Sequence, residues 1–505
     1  MSTSAKPRAV AATGIPGLDN ILAGGFTTNR IYLIQGDPGV GKTTLGMQFL
    51  LEGAARGESA LYLTLSESKE ELHAVAESHG WAIDKINIFE YSAHDRLESE
   101  ETSTLFHPSE IELGEATRRL LEEIERVKPQ RLVIDSLSEI RLLAQNALRY
   151  RRQILGLKHY FAGRECTVLM LDDRNAEDGD MQLMTLAHGV VMLEQLAPLY
   201  GAERRRIRIS KFRGVKYRGG YHDFAIRTGG IVVYPRLVAS EHRDDYTPQR
   251  MMSGMAEVDS LLGGGIDRGT STLIMGPAGA GKSALATHYV TAAAERGENA
   301  ALFIFDESRG TLFARSHALK MRLGDHVASG RVTVQQVDPA EIPPGEFVHQ
   351  VRDAVETRHA GIVVIDSLNG YMNAMPEERF LIIQMHELLT YLGQKGVATI
   401  LVVAQHGLLG QSMLSPVDVS YLADCVILMR YYEHAGEIRK AISVVKKRSG
   451  AHEQSIRPLS LTSDGIVVGP PLAEFRGILS GTPLIDSNAA NIFGDQRNGG
   501  TANAQ

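Results

Sequence analysis

The sequence predicts a tandem α/β protein: two domains in one chain, each a mostly parallel sheet with helices on both faces. Three observations predict it. Five sequence blocks recur in the same order in the two halves. Within each half, short β-branched runs alternate with amphipathic helical stretches, the pattern of strands covered by helices on both sides. Each half also carries one glycine-rich loop of the form GxxxxGK[ST] between an apolar run and a helical stretch.

The repeat is legible block by block. Thr13-Gly14-Ile15-Pro16-Gly17-Leu18-Asp19 recurs as Ser253-Gly254-Met255-Ala256-Glu257-Val258-Asp259, and GDPGVGKT at 36–43 recurs as GPAGAGKS at 276–283. ARGESALYLTLSES at 55–68 matches ERGENAALFIFDES at 295–308, and RLVIDSLSEI at 131–140 matches GIVVIDSLNG at 361–370. Late in each half, GAERRRIRISKFRG at 201–214 matches GEIRKAISVVKKRSG at 436–450. A duplication explains five matched blocks in one order. The expected organisation is a flexible start at 1–12, a first domain at 13–240, a charged linker at 241–250, a second domain at 251–485 and a disordered tail at 486–505. The predicted strands are IYLIQG, ALYLTL, RLVIDS, TVLMLDD and VVMLEQ in the first half, and TLIMGP, ALFIFD, GIVVIDS, TILVVAQ and CVILMR in the second. RIRISK and AISVVKK read as antiparallel strands at the sheet edge.

Composition narrows the class. At 505 residues the chain exceeds what one core organises, and 43% hydrophobic with 22% charged residues is a globular balance. A net charge of −7 lacks the basic footprint of a protein that neutralises many phosphates of nucleic acid. Cys166 and Cys425 lie far apart in apolar sequence, which excludes a disulfide framework and a CxxC metal site. There is neither a signal peptide nor a run long enough to span a membrane, so the expected compartment is the cytoplasm. His386-Glu387-Leu388-Leu389-Thr390 starts like a zinc-protease helix but has Thr where the second His is required, so zinc is not expected there.

The two loops carry the chemistry. Glycines let the backbone wrap a phosphate chain with its N–H groups, and the helix that follows adds its dipole. The expected ATP-binding residues are Gly36, Asp37, Pro38, Gly39, Val40, Gly41, Lys42, Thr43 and Thr44 in the first loop. In the second they are Gly276, Pro277, Ala278, Gly279, Ala280, Gly281, Lys282, Ser283 and Ala284. Lys42 and Lys282 are placed to reach the β- and γ-phosphates. Thr43 and Ser283, with the strand-end carboxylates Asp135 and Asp366, are the expected magnesium ligands. Glu67 and Glu307, just past the second strand of each half, are candidates to orient or deprotonate the attacking water, with Asp306 beside Glu307.

Taken together, these residues resemble the KaiC family, the RecA-like ATPases best known from the cyanobacterial circadian clock, over residues 13 to about 485. The resemblance rests on TGIPGLDN at 13–20, the doubled loops and the paired elements Lys211-Phe212-Arg213 and Lys446-Lys447-Arg448. It implies two tandem RecA-like domains, Mg-ATP as ligand, and a homohexamer in which ATP sits between subunits. Lys211, Arg213, Lys446 and Arg448 then look like fingers reaching a neighbour's γ-phosphate, where an added cation stabilises the transition state. Clock-active members carry two adjacent acidic residues after the second strand of both repeats; this chain has Ser66-Glu67 and Asp306-Glu307. Their phosphorylated segment has neighbouring Ser and Thr, whereas the matching stretch here runs Ser415-Pro416-Val417-Asp418-Val419-Ser420-Tyr421. The resemblance therefore implies a single main phosphosite, Ser420, with Asp306 taking its proton and Ser415 as a secondary acceptor. It also implies signalling or clock partner proteins, although the tail offers no amphipathic helix to bind one.

Two other functions use the same residues. A recombinase or helicase of the RecA lineage would bind DNA through runs such as Arg204-Arg205-Arg206, and would show salt-dependent retention of single strands. A nucleotide-gated scaffold would bind ATP with negligible turnover. The acidic balance and the duplication without a separate DNA-binding module argue against nucleic acid.

Overall fold

The structure is a computed structural model that describes residues 9–91, 108–174, 180–198, 201–372, 378–405, 421–478 and 484–485. The chain divides into two compact units, residues 1–236 and 237–505. Each unit is built on one nine-stranded sheet.

In the first unit the strands are β1 (Ile31–Gly36), β2 (Ala60–Thr64), β3 (Ile86–Glu90), β4 (Arg131–Asp135), β5 (Thr167–Asp173), β6 (Gly189–Leu196), β7 (Arg204–Phe212), β8 (His222–Arg227) and β9 (Gly230–Tyr234). Their order across the sheet is β9-β8-β7-β6-β1-β5-β4-β2-β3. The six strands from β6 to β3 are parallel, and β7, β8 and β9 continue the sheet antiparallel. The second unit repeats the plan with β10 (Ser271–Gly276), β11 (Asn299–Ile304), β12 (Val332–Gln336), β13 (Ala360–Asp366), β14 (Ala398–Ala404), β15 (Cys425–His434), β16 (Glu437–Lys447), β17 (Arg457–Thr462) and β18 (Gly465–Val468). Its order, β18-β17-β16-β15-β10-β14-β13-β11-β12, is the same.

The alternation of side chains along the central strands explains why both faces are covered. Tyr32 and Ile34 of β1 point into one apolar cluster with Leu45, Phe49 and Leu50 of α1 (Lys42–Ala55), while Ile31 and Leu33 point into a second with Leu120, Ile154 and Leu157. Two such clusters flank the second sheet, one of them holding Leu285, Tyr289 and Val290 of α2 (Lys282–Glu295). Strands buried on both faces read as continuous apolar runs, and that is how the central strands were legible.

Several details differ from expectation. β7 and β16 are antiparallel but do not form the sheet edge, because the hairpins β8–β9 and β17–β18 extend each sheet beyond them. The opposite edges, β3 and β12, also carry no sequence signal: INIFE and VTVQQ mix polar with apolar residues and are only partly buried. Val10–Ala11 pairs with Phe26–Thr27. After Arg236 the chain runs with the second unit, where Leu237 joins the core, Ala239 N–H donates to Glu387 and Lys395 pairs with Asp244. Glu387, from the zinc-like string, is thus a cap for a short turn. Among the described residues no helix is long and apolar enough to cross a membrane.

The TGIPGLDN block is a local staple. Asp19 accepts the Thr13 N–H at 2.8 Å, and Asp259 accepts that of Ser253 at 2.7 Å. Gly17 is required in the first unit because its Cα lies against β9, where a Cβ would sit 2.0 Å from the Val233 carbonyl oxygen. Its counterpart Glu257 is exposed.

Candidate functional site

Each glycine-rich loop joins a central strand to the helix beneath it. β1 ends at Gly36 and α1 begins at Lys42; β10 ends at Gly276 and α2 begins at Lys282. Gly39 and Gly41 take φ of 77° and 109°, and Gly279 and Gly281 take 75° and 107°, a region that costs other residues about 1–2 kcal/mol. The turn of five residues leaves both lysines buried at the helix N-terminus. Lys42 Nζ donates to the carbonyls of Gly36 and Asp37 at 2.9 and 3.0 Å and pairs with Asp173 at 2.8 Å. Lys282 Nζ donates to Pro277 at 2.7 Å, and burial pulls its pKa down.

The expected magnesium ligands meet in both units. Asp135 ends β4 and is buried beside Thr43, whose hydroxyl donates to Oδ2 at 3.1 Å. Asp366 ends β13 and is buried, with the Ser283 hydroxyl near enough to favour its charged form. Burial pushes both carboxyls up, against the hydrogen bonds that hold their charged forms down. A buried carboxylate paired with a hydroxyl at the mouth of a phosphate loop fits Mg²⁺, which takes one or two carboxylates and fills its shell with phosphate oxygens and water. Among the described residues no three His, Cys, Asp or Glu side chains cluster as a self-sufficient metal cage.

The two sites differ in the groups around this common frame. Tyr62 on β2 donates to Asp135 at 2.5 Å, and the matching residue of β11 is Leu302. Glu67 Oε2 is buried without a hydrogen-bond partner among the described residues. Burial, then the neighbouring charges of Asp135 and Glu71, pushes the Glu67 carboxyl up to about 7. Glu307 is instead clamped by Arg315, whose Nη1 reaches both carboxylate oxygens at 2.5 and 2.7 Å. Asp306 accepts a hydrogen bond from Ser367. Tyr62, Asp173 and Arg315 escape sequence reasoning. Tyr62 and Asp173 do fall in the predicted strands ALYLTL and TVLMLDD, but nothing in either run marks the side chain as part of a site.

The Lys-x-Arg elements lie away from their own loops. Lys211 of β7 is opposite Val190, which neighbours Leu33, three residues before Gly36. Lys446 of β16 is opposite Val426, which neighbours Leu273, three residues before Gly276. At the usual rise that is about 10 Å along the strands, toward the end opposite the phosphate loop. A bulge precedes each lysine, between Val190 and Val191 in one pairing and between Val426 and Ile427 in the other, and bulges re-aim side chains. Lys211 donates to the carbonyls of Met184 and Thr185, and Arg213 to that of Thr185. Lys446 donates to Ala423, while Arg448 reaches Asp424 and Tyr421. The other basic run is engaged internally: Arg206 and Arg208 lie over Tyr221, and Arg205 pairs with Glu203. Ser415 and Ser420 lie outside the described residues. The two cysteines are buried, with their thiols pushed up to about 12 and about 11.

Comparison with known proteins agrees with this architecture. The family model described as "ATPase: KaiC" matches twice, at residues 11–238 and 251–473. The chain is 28% identical over 480 residues to the circadian clock protein KaiC3 of Synechocystis, covering 94% of each chain. It is 26% identical to the circadian clock oscillator protein KaiC of Acaryochloris marina, over 93% of this chain and 90% of that one. It is 25% identical to the protein of the same name from Synechococcus elongatus, over 93% and 91%.

Proposed function

The chain belongs to the KaiC family of ATPases, and from that premise we propose that it binds Mg-ATP at two sites, one per repeat, and hydrolyses it in a signalling or timing role. The observation that carries the reading is the hydroxyl–carboxylate pair at each loop, Thr43 with Asp135 and Ser283 with Asp366. A buried carboxylate is electrostatically costly unless a cation or hydrogen bonds compensate it, and a bound Mg²⁺ would supply that compensation at both strand ends. Lys42 and Lys282 bind and orient the phosphates, and the loop N–H groups surround them. Magnesium, held by Thr43 and Asp135 or by Ser283 and Asp366, supplies charge neutralisation at the phosphates. Glu67 and Glu307 orient or deprotonate the water. Nucleotide counting on purified chains tests the reading: Lys42→Ala and Lys282→Ala should each lose one of two bound nucleotides, and a single mutant retaining two would refute the assignment of that loop.

Two finer features belong to the same reading. The fingers Lys211, Arg213, Lys446 and Arg448 act on a neighbouring chain, so the working form is an ATP-stabilised homohexamer. Light scattering that finds a monomer at micromolar protein with saturating Mg-ATP would remove this role. The second repeat phosphorylates its own chain at Ser420, with Asp306 receiving the hydroxyl proton; in the first repeat the matching place holds Met184. Phosphopeptide mapping should find the label on Ser420 and lose it in Ser420→Ala. An unlabelled wild-type chain that still releases phosphate would leave hydrolysis alone.

A further inference from the structure

The two phosphate loops share a backbone but not an electrostatic environment. In β5, Asp173 stands beside Gly36 of β1; at the same register in the second sheet, Ala404 of β14 stands beside Gly276 of β10. Asp173 is held in place from behind. Ser138 Oγ donates toward Asp173 and toward Asp172, and accepts the Asp173 backbone N–H at 3.3 Å. Asp172 is fully buried and pairs with Arg141 at 2.7 Å. The second unit replaces this network with Asn369, whose amide bonds the backbone of Ala404 in both directions, and with Val403 and Met372 at the places of Asp172 and Arg141. Among the described residues Lys282 forms no ion pair, whereas the Lys42 ammonium lies 2.8 Å from the Asp173 carboxylate.

We propose that Asp173 is a specificity-determining residue of the first repeat, a fixed counter-ion to Lys42 that sets how strongly this site prefers ATP to ADP. The inference rests on the reading of this loop as a nucleotide site. A lysine at this point of a phosphate loop reaches the β- and γ-phosphates, so a carboxylate in contact with it lies within a few ångströms of the triphosphate's end. The γ-phosphate must compete with Asp173 for Lys42 and be accommodated beside a like charge. ADP ends one phosphate earlier and meets less of that repulsion. Because Ser138 holds the carboxylate, Asp173 does not simply swing away. The second site has no such group, so its preference for ATP is set without this penalty.

The test isolates one site at a time. In Lys282→Ala chains, the affinities of Mg-ADP and Mg-β,γ-imido-ATP are measured by calorimetry with Asp173 intact and in Asp173→Asn, which preserves shape and removes the charge. The triphosphate-to-diphosphate preference should rise about two- to fivefold, the size of a partly exposed charge interaction. In Lys42→Ala chains, Ala404→Asp should lower the same ratio at the second site. This variant keeps the proposal testable if Asp173→Asn fails to fold. An unchanged or smaller ratio in Asp173→Asn overturns the proposal while leaving nucleotide binding intact. A Lys282→Ala chain that binds neither nucleotide overturns the two-site reading, and this inference with it.

Discussion

His222 should make the first repeat sensitive to acid well above the pH at which carboxylates protonate. The ring is buried at 1% exposure on β8. Its Nδ1 accepts the Arg236 backbone N–H at 2.8 Å, which leaves Nε2–H to donate to the Arg218 carbonyl at 3.1 Å. A second proton on Nδ1 would face the Arg236 N–H directly. Burial, assisted by the charges of Arg236 and Arg218 and opposed by the bond to the Arg218 carbonyl, lowers the pKa from 6.5 to about 4. The folded value is depressed, so the stabilisation is complete above pH 6.5 and is lost as pH falls toward 4. At about 1.4 kcal/mol per pH unit the full loss is about 3 kcal/mol, of which about 2 kcal/mol falls between pH 7.5 and 5. Trp81, the chain's single tryptophan, lies against Gly230 at the start of β9 and reports on this unit alone. Urea transitions followed by its fluorescence give the stability of the first unit at each pH, read from the midpoint rather than the intensity. His222→Gln keeps a donor and an acceptor but does not titrate. Wild type should lose about 2 kcal/mol more than His222→Gln between pH 7.5 and 5. Parallel pH profiles for the two proteins would refute the assignment.

The remaining predictions concern catalysis. Glu67→Gln should lower phosphate release in Lys282→Ala chains by about 10²–10⁴-fold, the range for a positioned general base; Glu307→Gln in Lys42→Ala chains should cost less, because Arg315 already occupies both Glu307 oxygens. Equal losses would show that the clamp opens when nucleotide binds. If the proposed ring forms, then in the Lys282→Ala background chains lacking Lys42 and chains lacking Lys211 should each be inactive, yet an equal mixture should regain about one quarter of the turnover, since that share of its interfaces would join an intact loop to an intact finger. A mixture no better than its parts, with subunit exchange verified, would show that Lys211 serves its own chain.

What the sequence reveals depends on how each residue is constrained. The central strands are buried on both faces and read as apolar runs, and the loops read from glycines whose backbone angles allow little else. Outer strands β3, β8 and β12 are mixed in polarity, with burial alternating or partial, so their periodicity is weak. The hairpin β8–β9 is held to the rest by pairings that no local pattern announces, such as Ile231 N–H with Gln48 at 2.7 Å. At the site, the lysines, the hydroxyls and the strand-end aspartates are tied to a motif, so counting along the chain finds them. Tyr62, Asp173 and Arg315 reach the site from β2, from β5 and from a helix (Arg309–Ala318) outside the motifs. Their roles depend on which side chain lies across the sheet, and that is information only the fold supplies.

The differences between the repeats fall into a pattern. Positions whose backbone forms the loop, or whose side chain lies at or beside the N-terminal end of the helix that follows it, are kept in kind: Lys42 with Lys282, Thr43 with Ser283, Asp135 with Asp366. Positions one contact further out have diverged. Asp135 is held by Tyr62 where the second unit has Leu302, Lys42 is held by Asp173 where the second has Ala404, and Glu67 stands unclamped where Glu307 is gripped by Arg315. Each change alters the charge or proton affinity of a group in the shared frame without moving the frame. A duplicated site can therefore acquire a different rate or nucleotide preference while its loop stays recognisable. Here two of the three changes, the unclamped Glu67 and the added Asp173, place extra acidity in the first repeat, and the third gives Asp135 a phenol donor, so the two frames offer different electrostatic surroundings to whatever they bind.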